Sequence, residues 1–262
     1  MGDALTKTER EGVVLIFTLN RPDKFNAFTP DMLESFAETV RDFTEDESLR
    51  VLLIRAEGKY FTSGMDVTTL GSTPDGEGPA GFRKRYRHVA RHDLWDALEK
   101  VEKPVVVAHQ GPCLGAGLEM SLSCDFRLAS DAAHYALPEM SMGMIPGSGG
   151  TSRLVRTVGG AFTRWMIMAS EKVSAAQALT AGLVHAVYAE ETFEADVRAF
   201  CNKLATQPPE AMAAAKLAIE FSVDLDRAQA RNMERLINSS LNEGDEQKRV
   251  FAELLARMTR KG

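Results

Sequence analysis

The chain has 262 residues, of which 44% are hydrophobic, 31 are lysine or arginine and 37 are aspartate or glutamate. This composition can bury a substantial core and argues against a fibrous or disordered chain. The net charge of −6 would repel nucleic acid and acidic membranes, so a polyanion would have to bind at a local site.

The cysteines and the first residues predict a soluble, cytoplasmic protein. Cys113, Cys124 and Cys201 are odd in number and have no CxxC spacing, which favours free thiols in a reducing compartment over disulfides or a zinc site. The first residues contain no apolar run typical of a signal peptide. No segment approaches the roughly 20 apolar residues that a membrane span requires.

The first elements in the chain are a strand and a capped helix. The apolar, β-rich run from Val13 to Leu19 predicts the strand, and apolar residues at helical spacing from Leu33 to Phe43 predict the helix. Thr29 can cap this helix with Pro30 at its first position, because a proline there gives up an amide that would be unpaired anyway.

Further short apolar runs predict more strands, with a helical pattern between Phe82 and Val101. The runs are Val51 to Ile54, Val105 to Ala108, Phe126 to Ala129, His134 to Leu137 and Leu183 to Val187. Strands that alternate with helices indicate βαβ units. We therefore predict the α/β class, with a largely parallel sheet flanked by helices.

Beyond about Glu190 the pattern becomes helical through Met258, with a break at Pro208-Pro209. This part carries more apolar residues than one isolated helical layer can bury, which suggests subunit contacts. They are Leu204, Met212, Leu217, Ile219, Phe221, Leu236, Ile237, Phe251 and Leu255.

Three glycine-containing segments carry the unusual residue choices. They are FTSGMD at 61–66, GPCLGAGLE at 111–119, and PEMSMGMIPGSGGT at 138–151. Glycine-rich turns after strands let the backbone approach a ligand and present free amides. None of the three has the lysine and hydroxyl ending of a P-loop or the GxGxxG spacing of a dinucleotide site, so nucleotide chemistry is disfavoured.

In this order and spacing, FTSGMD, GPCLGAGLEMSLSCD and LPEMSMGMIPGSGGTSRL resemble the signature segments of the crotonase, or enoyl-CoA hydratase/isomerase, family, and NRPDKFNAF at 20–28 also matches. The resemblance implies a crotonase-like ββα spiral core with an acyl-CoA site in residues 1–190. It implies a helical oligomerisation region in residues 191–262, assembled as homotrimers or dimers of trimers. The substrate would be an acyl-CoA thioester, with no separate cofactor, no metal, no membrane and no nucleic acid.

The family's mechanism carries over to matching positions here. The backbone amides of Ser63 and Ala116 would form an oxyanion hole for the thioester carbonyl. Glu119 would be the base that activates water and Glu139 the acid that protonates C2, with the amide of Gly147 as a weaker candidate for holding the water. Taken singly, each glutamate has an ordinary structural explanation, at a helix start or in a loop.

The resemblance also implies a coenzyme A cleft, lined mostly through backbone contacts. The residues at the matching positions are Lys24, Phe25, Ala27, Ser63, Gly64, Met65 and Asp66. Phe251 resembles an aromatic residue that reaches the coenzyme from a neighbouring subunit, although a core phenylalanine is an equally good explanation.

Other functions stay open at this point. An enoyl-CoA isomerase on the same fold commonly needs one carboxylate, at the Glu139 position, although dienoyl-type isomerases keep both. Thioester hydrolysis or C–C cleavage is a weaker third option. A basic run suggests a non-catalytic or RNA-binding relative, although a solvated helix face is the default explanation of such a run. Its residues are Arg83, Lys84, Arg85, Arg87 and Arg91. His109 and His134 could tune the glutamates, but hydrogen-bonded core histidines are more common.

Overall fold

The structure, a computed structural model, describes residues 4–68, 90–242 and 244–259. Contacts divide the chain into two compact units, Met1–Asn202 and Lys203–Gly262. The predicted assignment of an acyl-CoA core to residues 1–190 and of oligomerisation to residues 191–262 remains a prediction. None of the described helices is long and apolar enough to cross a membrane.

The described residues contain nine strands and nine α-helices. The strands are β1 (Thr6–Glu11), β2 (Val14–Leu19), β3 (Val51–Ala56), β4 (Val105–His109), β5 (Cys113–Leu114), β6 (Phe126–Ser130), β7 (His134–Ala136), β8 (Val173–Ser174) and β9 (Ala186–Tyr188). The helices are α1 (Pro30–Glu45), α2 (Ala90–Lys100), α3 (Ala116–Ser121), α4 (Gly150–Ile167), α5 (Ala175–Thr180), α6 (Phe193–Ala205), α7 (Pro209–Asp224), α8 (Arg227–Asn242) and α9 (Asp245–Thr259).

The main sheet has six strands in the order β1-β2-β3-β4-β6-β9, and only the β1–β2 pair is antiparallel. Every residue of β2 and β4 is buried, which is typical of parallel strands covered on both faces. The predicted, largely parallel sheet is confirmed. β1 was not predicted, because its sequence TKTERE is polar and mostly exposed at the sheet edge.

The last predicted strand starts later than expected. Leu183 donates its N–H to the carbonyl of Ala178, and Gly182, at φ +78°, donates to the carbonyl of Leu179. These two bonds end α5 in a Schellman motif. The apolar residues Leu183 and Val184 therefore lie in the turn that follows α5, and the prediction of a strand from Leu183 was wrong at that point.

The capped helix α1 is confirmed. Thr29 accepts a hydrogen bond from the N–H of Met32, with Pro30 at the first helical position. The ring of Phe36 stacks on that of Phe17 with centroids 4.5 Å apart, and the buried ring of Trp95 lies 6.3 Å from Phe36. Aromatic packing thus fixes α1 and α2 against the sheet.

A small second sheet, β5-β7-β8, holds the loops that carry the glycine-containing segments. β5 is parallel to β7, and an isolated bridge pairs Thr62 with Cys113. A second isolated bridge pairs Phe28 with Met65. Four segments that are distant in sequence therefore lie side by side: residues 25–28, 61–66, 113–119 and 134–139.

The second unit consists of the end of α6 with α7, α8 and α9. Among its described residues only Ala230 is buried. Large apolar side chains remain on its surface, including Leu217, Ile219, Leu236 and Phe251. The predicted series of helices and the break at Pro208-Pro209 are confirmed.

Buried polar side chains lie beneath α3. His109 is fully buried; its Nδ1 lies 3.0 Å from the hydroxyl of Tyr135 and its Nε2 lies 2.9 Å from the hydroxyl of Ser121. Burial, with a smaller contribution from the charge of Arg127, lowers the pKa of His109 from 6.5 to about 3. His109 is thus a hydrogen-bonded core residue, and the three cysteines are buried free thiols as expected.

We predict that His109 makes the fold sensitive to acid. The pKa of His109 is lower in the folded chain than in the unfolded one. The free energy of unfolding therefore decreases as the pH falls below the pKa of the unfolded chain, 6.5, and is about 2 kcal/mol smaller at about pH 5. Because a glutamine can hydrogen-bond but not titrate, His109→Gln should lose less stability than wild type over this range. Urea unfolding at several pH values measures both, and equal losses would contradict the prediction.

Candidate active site

Asn26 fixes the loop at residues 20–28. Its backbone is left-handed, at φ +52°, a conformation that asparagine tolerates better than most residues. Its side-chain oxygen accepts the N–H of Arg21 at 2.7 Å, and its amide nitrogen donates to the carbonyls of Glu57 (2.9 Å) and Tyr60 (2.8 Å). Sequence reasoning assigned no role to Asn26; its place in the NRPDKFNAF segment was the only signal.

An ion pair joins this loop to the 61–66 segment. Arg21 contacts Asp66 at 2.8 Å and donates to the carbonyl of Ala27 at 3.1 Å. Hydrogen bonds from the hydroxyl of Thr68 and then from Arg21 lower the pKa of Asp66 to about 2. Asp66 is therefore ionised and structural in this position, while Lys24 lies exposed at the end of a 3-10 turn.

The backbone amides of the 61–66 segment differ in what they can bind. Ser63 donates its N–H to the carbonyl of Phe25 at 2.9 Å, and Gly64 donates to the hydroxyl of Thr62 at 3.1 Å. Within the described part of the chain, the N–H of Met65 has no acceptor. The expected use of the Ser63 amide as an oxyanion donor therefore conflicts with the hydrogen bond that it already makes.

Gly64 brings this segment close to the start of α3. Its φ is +93°, and a Cβ at this position would lie 3.3 Å from the nitrogen of Ala116 and 3.1 Å from the oxygen of Leu114. In the bridge between Phe28 and Met65, the N–H of Phe28 donates to the carbonyl of Gly64, and the carbonyl of Phe28 accepts the N–H of Asp66. In parallel pairing the N–H of Met65 then points away from Phe28. The Ala116 N–H likewise has no acceptor among the described residues.

Glu119 lies in the first turn of α3 and is 4% exposed. Its Oε1 accepts the N–H of Ser148 at 2.8 Å. Burial raises the pKa of Glu119, and hydrogen bonds from the Ser148 and Gly150 amides and the charges of Arg91 and Arg153 oppose that rise. The negative form of this buried carboxyl is thus partly compensated.

Glu139 is the second residue of a 3-10 turn, Pro138–Met142, after β7. Its Oε2 is buried and has no partner in the part of the chain that the structure describes. Burial raises the pKa of Glu139 to about 7, and the charge of Glu119 adds to the rise. A Cβ on Gly115 would lie 3.0 Å from Glu139 Oε1, so glycine at the start of α3 leaves room for this carboxyl.

The loop at 146–150 borders Glu119 from the other side. A Cβ on Gly150 would lie 2.8 Å from Glu119 Oε1, which explains a glycine there. Gly147 is exposed, and its N–H has no acceptor among the described residues. A water molecule could reach that amide next to the glutamate.

Two sequence expectations fall elsewhere. Phe251 belongs to the second unit, where it is 53% exposed and borders an apolar pocket with Leu241, Val250 and Leu254. Of the basic run, the positions before Arg91 lie outside the described residues, and Arg91 itself donates its Nε to the hydroxyl of Ser148 at 2.6 Å. No group of three or more metal-binding side chains occurs among residues 4–68, 90–242 and 244–259.

Known proteins resemble this chain over most of its length. A family model for enoyl-CoA hydratase/isomerase matches residues 8–257. A short-chain-enoyl-CoA hydratase of Clostridium acetobutylicum is 34% identical over 225 residues, which cover 85% of this chain and 84% of that protein. A 2,3-dehydroadipyl-CoA hydratase of Escherichia coli is 32% identical over 216 residues, 82% of each protein.

Solved structures give the same result. The crystal structure of an enoyl-CoA hydratase from Bacillus anthracis matches with a TM-score of 0.89 at 25% identity, over 97% of each chain. The predicted crotonase fold is therefore confirmed. Because the family model spans nearly the whole sequence and the fold agrees with it, the chain belongs to the enoyl-CoA hydratase/isomerase family.

Proposed function

We propose that this protein is an enoyl-CoA hydratase, which adds water across the C2=C3 double bond of an enoyl-CoA thioester. The observation that carries the proposal is the pair of electrostatically interacting glutamates, Glu119 and Glu139, beside the backbone amides of Met65 and Ala116, which have no acceptor among the described residues. Hydration needs one group to take a proton from water and another to deliver one to carbon. Relatives that are named hydratases of short-chain enoyl-CoA and of crotonyl-CoA support this choice.

The surroundings of the two carboxyls favour different roles. Two backbone amides and two guanidinium groups act on Glu119 in favour of its carboxylate form, which suits a base. Glu139 has a buried oxygen without a described partner and a pKa of about 7, which suits an acid that holds its proton. Surroundings that differ in this way can let two carboxyls divide the work of a base and an acid.

The amides of Met65 and Ala116 are the better-supported oxyanion donors. Negative charge develops on the thioester oxygen as the C2 carbanion character grows, and fixed donors stabilise it without reorganising. The Ser63 amide expected for this role is bonded to Phe25, whereas neither Met65 nor Ala116 has a described acceptor. We assign the water-holding role to the exposed Gly147 amide.

Coenzyme A would lie along the two loops joined by the Arg21–Asp66 ion pair. The exposed ring of Phe25, 4.7 Å from that of Tyr60, offers an apolar surface beside the exposed Lys24. Backbone groups of Ala27, Gly64, Met65 and Asp66 complete the proposed cleft.

The proposed assembly is a homotrimer or a dimer of trimers, with Phe251 reaching the coenzyme of a neighbouring subunit. The exposed apolar side chains of the second unit support contacts between subunits, because burying apolar surface stabilises association.

We predict that Glu139 titrates near neutrality and that its pKa falls in Glu119→Gln, because the neighbouring negative charge is removed. Carbon-13 NMR of glutamate side-chain carboxyls measures both values, and the signal that is missing in Glu139→Gln identifies the residue. Glu102→Gln, at an exposed position, serves as the control. An unchanged Glu139 pKa in Glu119→Gln would show that the carboxyls are not coupled.

We predict that Glu119→Gln and Glu139→Gln each slow hydration by about 100-fold or more, since each loses a proton-transfer group. The loss of enoyl-thioester ultraviolet absorbance with crotonyl-CoA and longer enoyl esters measures the rate. Wild-type activity should also fall as the pH rises through about 7, because Glu139 then loses the proton that it has to donate. Rates like wild type in both variants would remove the mechanism.

Mass spectrometry of the product formed in oxygen-18 water separates hydration from isomerisation. Reaction in oxygen-18 water should give a 3-hydroxyacyl product that carries the label. An isomerase would move the double bond of a 3-enoyl-CoA and incorporate no oxygen.

We predict a solution mass of three or six times the chain mass of 28.7 kDa. Light scattering after size-exclusion chromatography measures it. A single-chain mass at all concentrations would contradict the proposed assembly.

A further inference from the structure

Arg91, on α2, reaches the loop that supports Glu119. Its Nε donates to the hydroxyl of Ser148 at 2.6 Å, and the backbone N–H of the same serine donates to Glu119 Oε1 at 2.8 Å. Ser148 is 2% exposed, so this two-step connection lies inside the protein. The sequence pattern explained Arg91 as part of a solvated basic face, and the structure turns its side chain inward instead.

A second arginine contacts the same loop, but two carboxylates partly offset its charge. Arg153 donates to the carbonyl of Ser148 at 3.2 Å. It also makes a two-bond contact with Glu99, at 2.6 and 2.8 Å, and contacts Asp96 at 2.6 Å. Arg153 thus fastens the loop to α2, while its net effect on the field at Glu119 is reduced by two carboxylates.

Arg91 has no such carboxylate partner among the described residues, and it is partly removed from water. Burial lowers the pKa of Arg91, and the charge of Glu119 opposes this change, so the two groups attract each other. In the described part of the chain no direct ion pair joins them. The attraction therefore acts across Ser148, through a low-dielectric interior that screens it less than water would.

We propose that Arg91 is a positioning residue for the base. Its guanidinium holds Ser148 so that the serine amide faces Glu119, and its charge favours the carboxylate form of that glutamate. This inference rests on the proposed hydratase function for its role in the reaction. The electrostatic part stands on the structure alone.

The groups that act on Glu119 set the expected direction of change. Arg91 acts from α2, Arg153 from α4 and Glu139 from the 3-10 turn, together with the amides of Ser148 and Gly150. Removing a cation from this set disfavours the carboxylate and raises the pKa of Glu119. The base then becomes protonated at a higher pH, so the acidic limb of the kcat/KM profile should move to higher pH.

The test compares four variants. Arg91→Met removes the charge and keeps an apolar chain, and Arg91→Lys keeps the charge. Ser148→Ala removes the hydroxyl that accepts from Arg91 but keeps the backbone amide. Lys100→Met removes an exposed cation from the end of the same helix and is the matched control. Circular dichroism and thermal midpoints establish that each variant is folded.

Carbon-13 NMR titration of the Glu119 carboxyl, identified by its absence in Glu119→Gln, needs no substrate. The Glu119 pKa should rise by about one unit in Arg91→Met, less in Ser148→Ala, and return toward the wild-type value in Arg91→Lys. Lys100→Met should leave it unchanged. The acidic limb of kcat/KM should move by the same amounts, with KM near that of wild type.

An unshifted Glu119 in folded Arg91→Met overturns the inference, as does an equal shift in Lys100→Met. A raised KM with an unmoved acidic limb also overturns it, because Arg91 would then contact substrate. A wild-type enzyme that hydrates none of the enoyl esters would instead reject the proposed function, and the titration would still decide the electrostatic claim.

Discussion

The burial of a carboxyl in the first turn of α3 is the constraint on which the rest of the site depends. An isolated buried carboxylate is costly, and a protein avoids the cost either by protonating the group or by surrounding it with donors and cations. Glu119 has the second solution, with the Ser148 amide at 2.8 Å and two arginines acting on it. Burial raises the pKa of Glu139, whose Oε2 lacks a described partner, to about 7, which moves this group toward the first. The surroundings of the two glutamates thus oppose the effect of burial on the pKa of Glu119 and add to it at Glu139.

This arrangement requires α3 to be held firmly at both ends. At its start, Gly117 faces Thr62 so closely that a Cβ would lie 2.0 Å from the threonine methyl group. At its end, the buried guanidinium of Arg127 donates to the carbonyl of Ser121 (3.2 Å), the last residue of the helix, and to that of Cys124 (2.7 Å), just beyond it. A cation also complements the negative end of the helix. The proposed oxyanion amide and the proposed base therefore move with one short, fixed element.

The sequence was informative wherever local chemistry determines structure. Thr29 and Pro30 mark the start of α1 because a cap and a first-turn proline are local devices, and the mostly apolar sequences of β2 and β4 indicate a buried parallel sheet. β1 escaped prediction because its residues are polar and its place is set only by pairing with β2. The acceptor of the Ser63 amide could not be foreseen either, since Phe25 is brought beside it by the fold. Arg91 fell within a run of cations, and nothing in the sequence pattern marks it as a residue that turns inward to bond Ser148.

The glycines near the two carboxyls show why residue type and spacing coincide in this site. A side chain at Gly115 would crowd Glu139 Oε1, and one at Gly150 would overlap Glu119 Oε1 at 2.8 Å. Each glutamate is thus accommodated by a glycine from a different segment, and each segment also supplies a backbone amide at or next to that glycine, from Ala116 or from Gly150 itself. A glycine at these positions has two effects together. It leaves room for the carboxyl, and it lets the backbone approach closely enough for an N–H to donate to a carboxylate or an oxyanion. The segments are therefore rich in glycine because the main chain has to pack closely against the carboxyl groups for this chemistry.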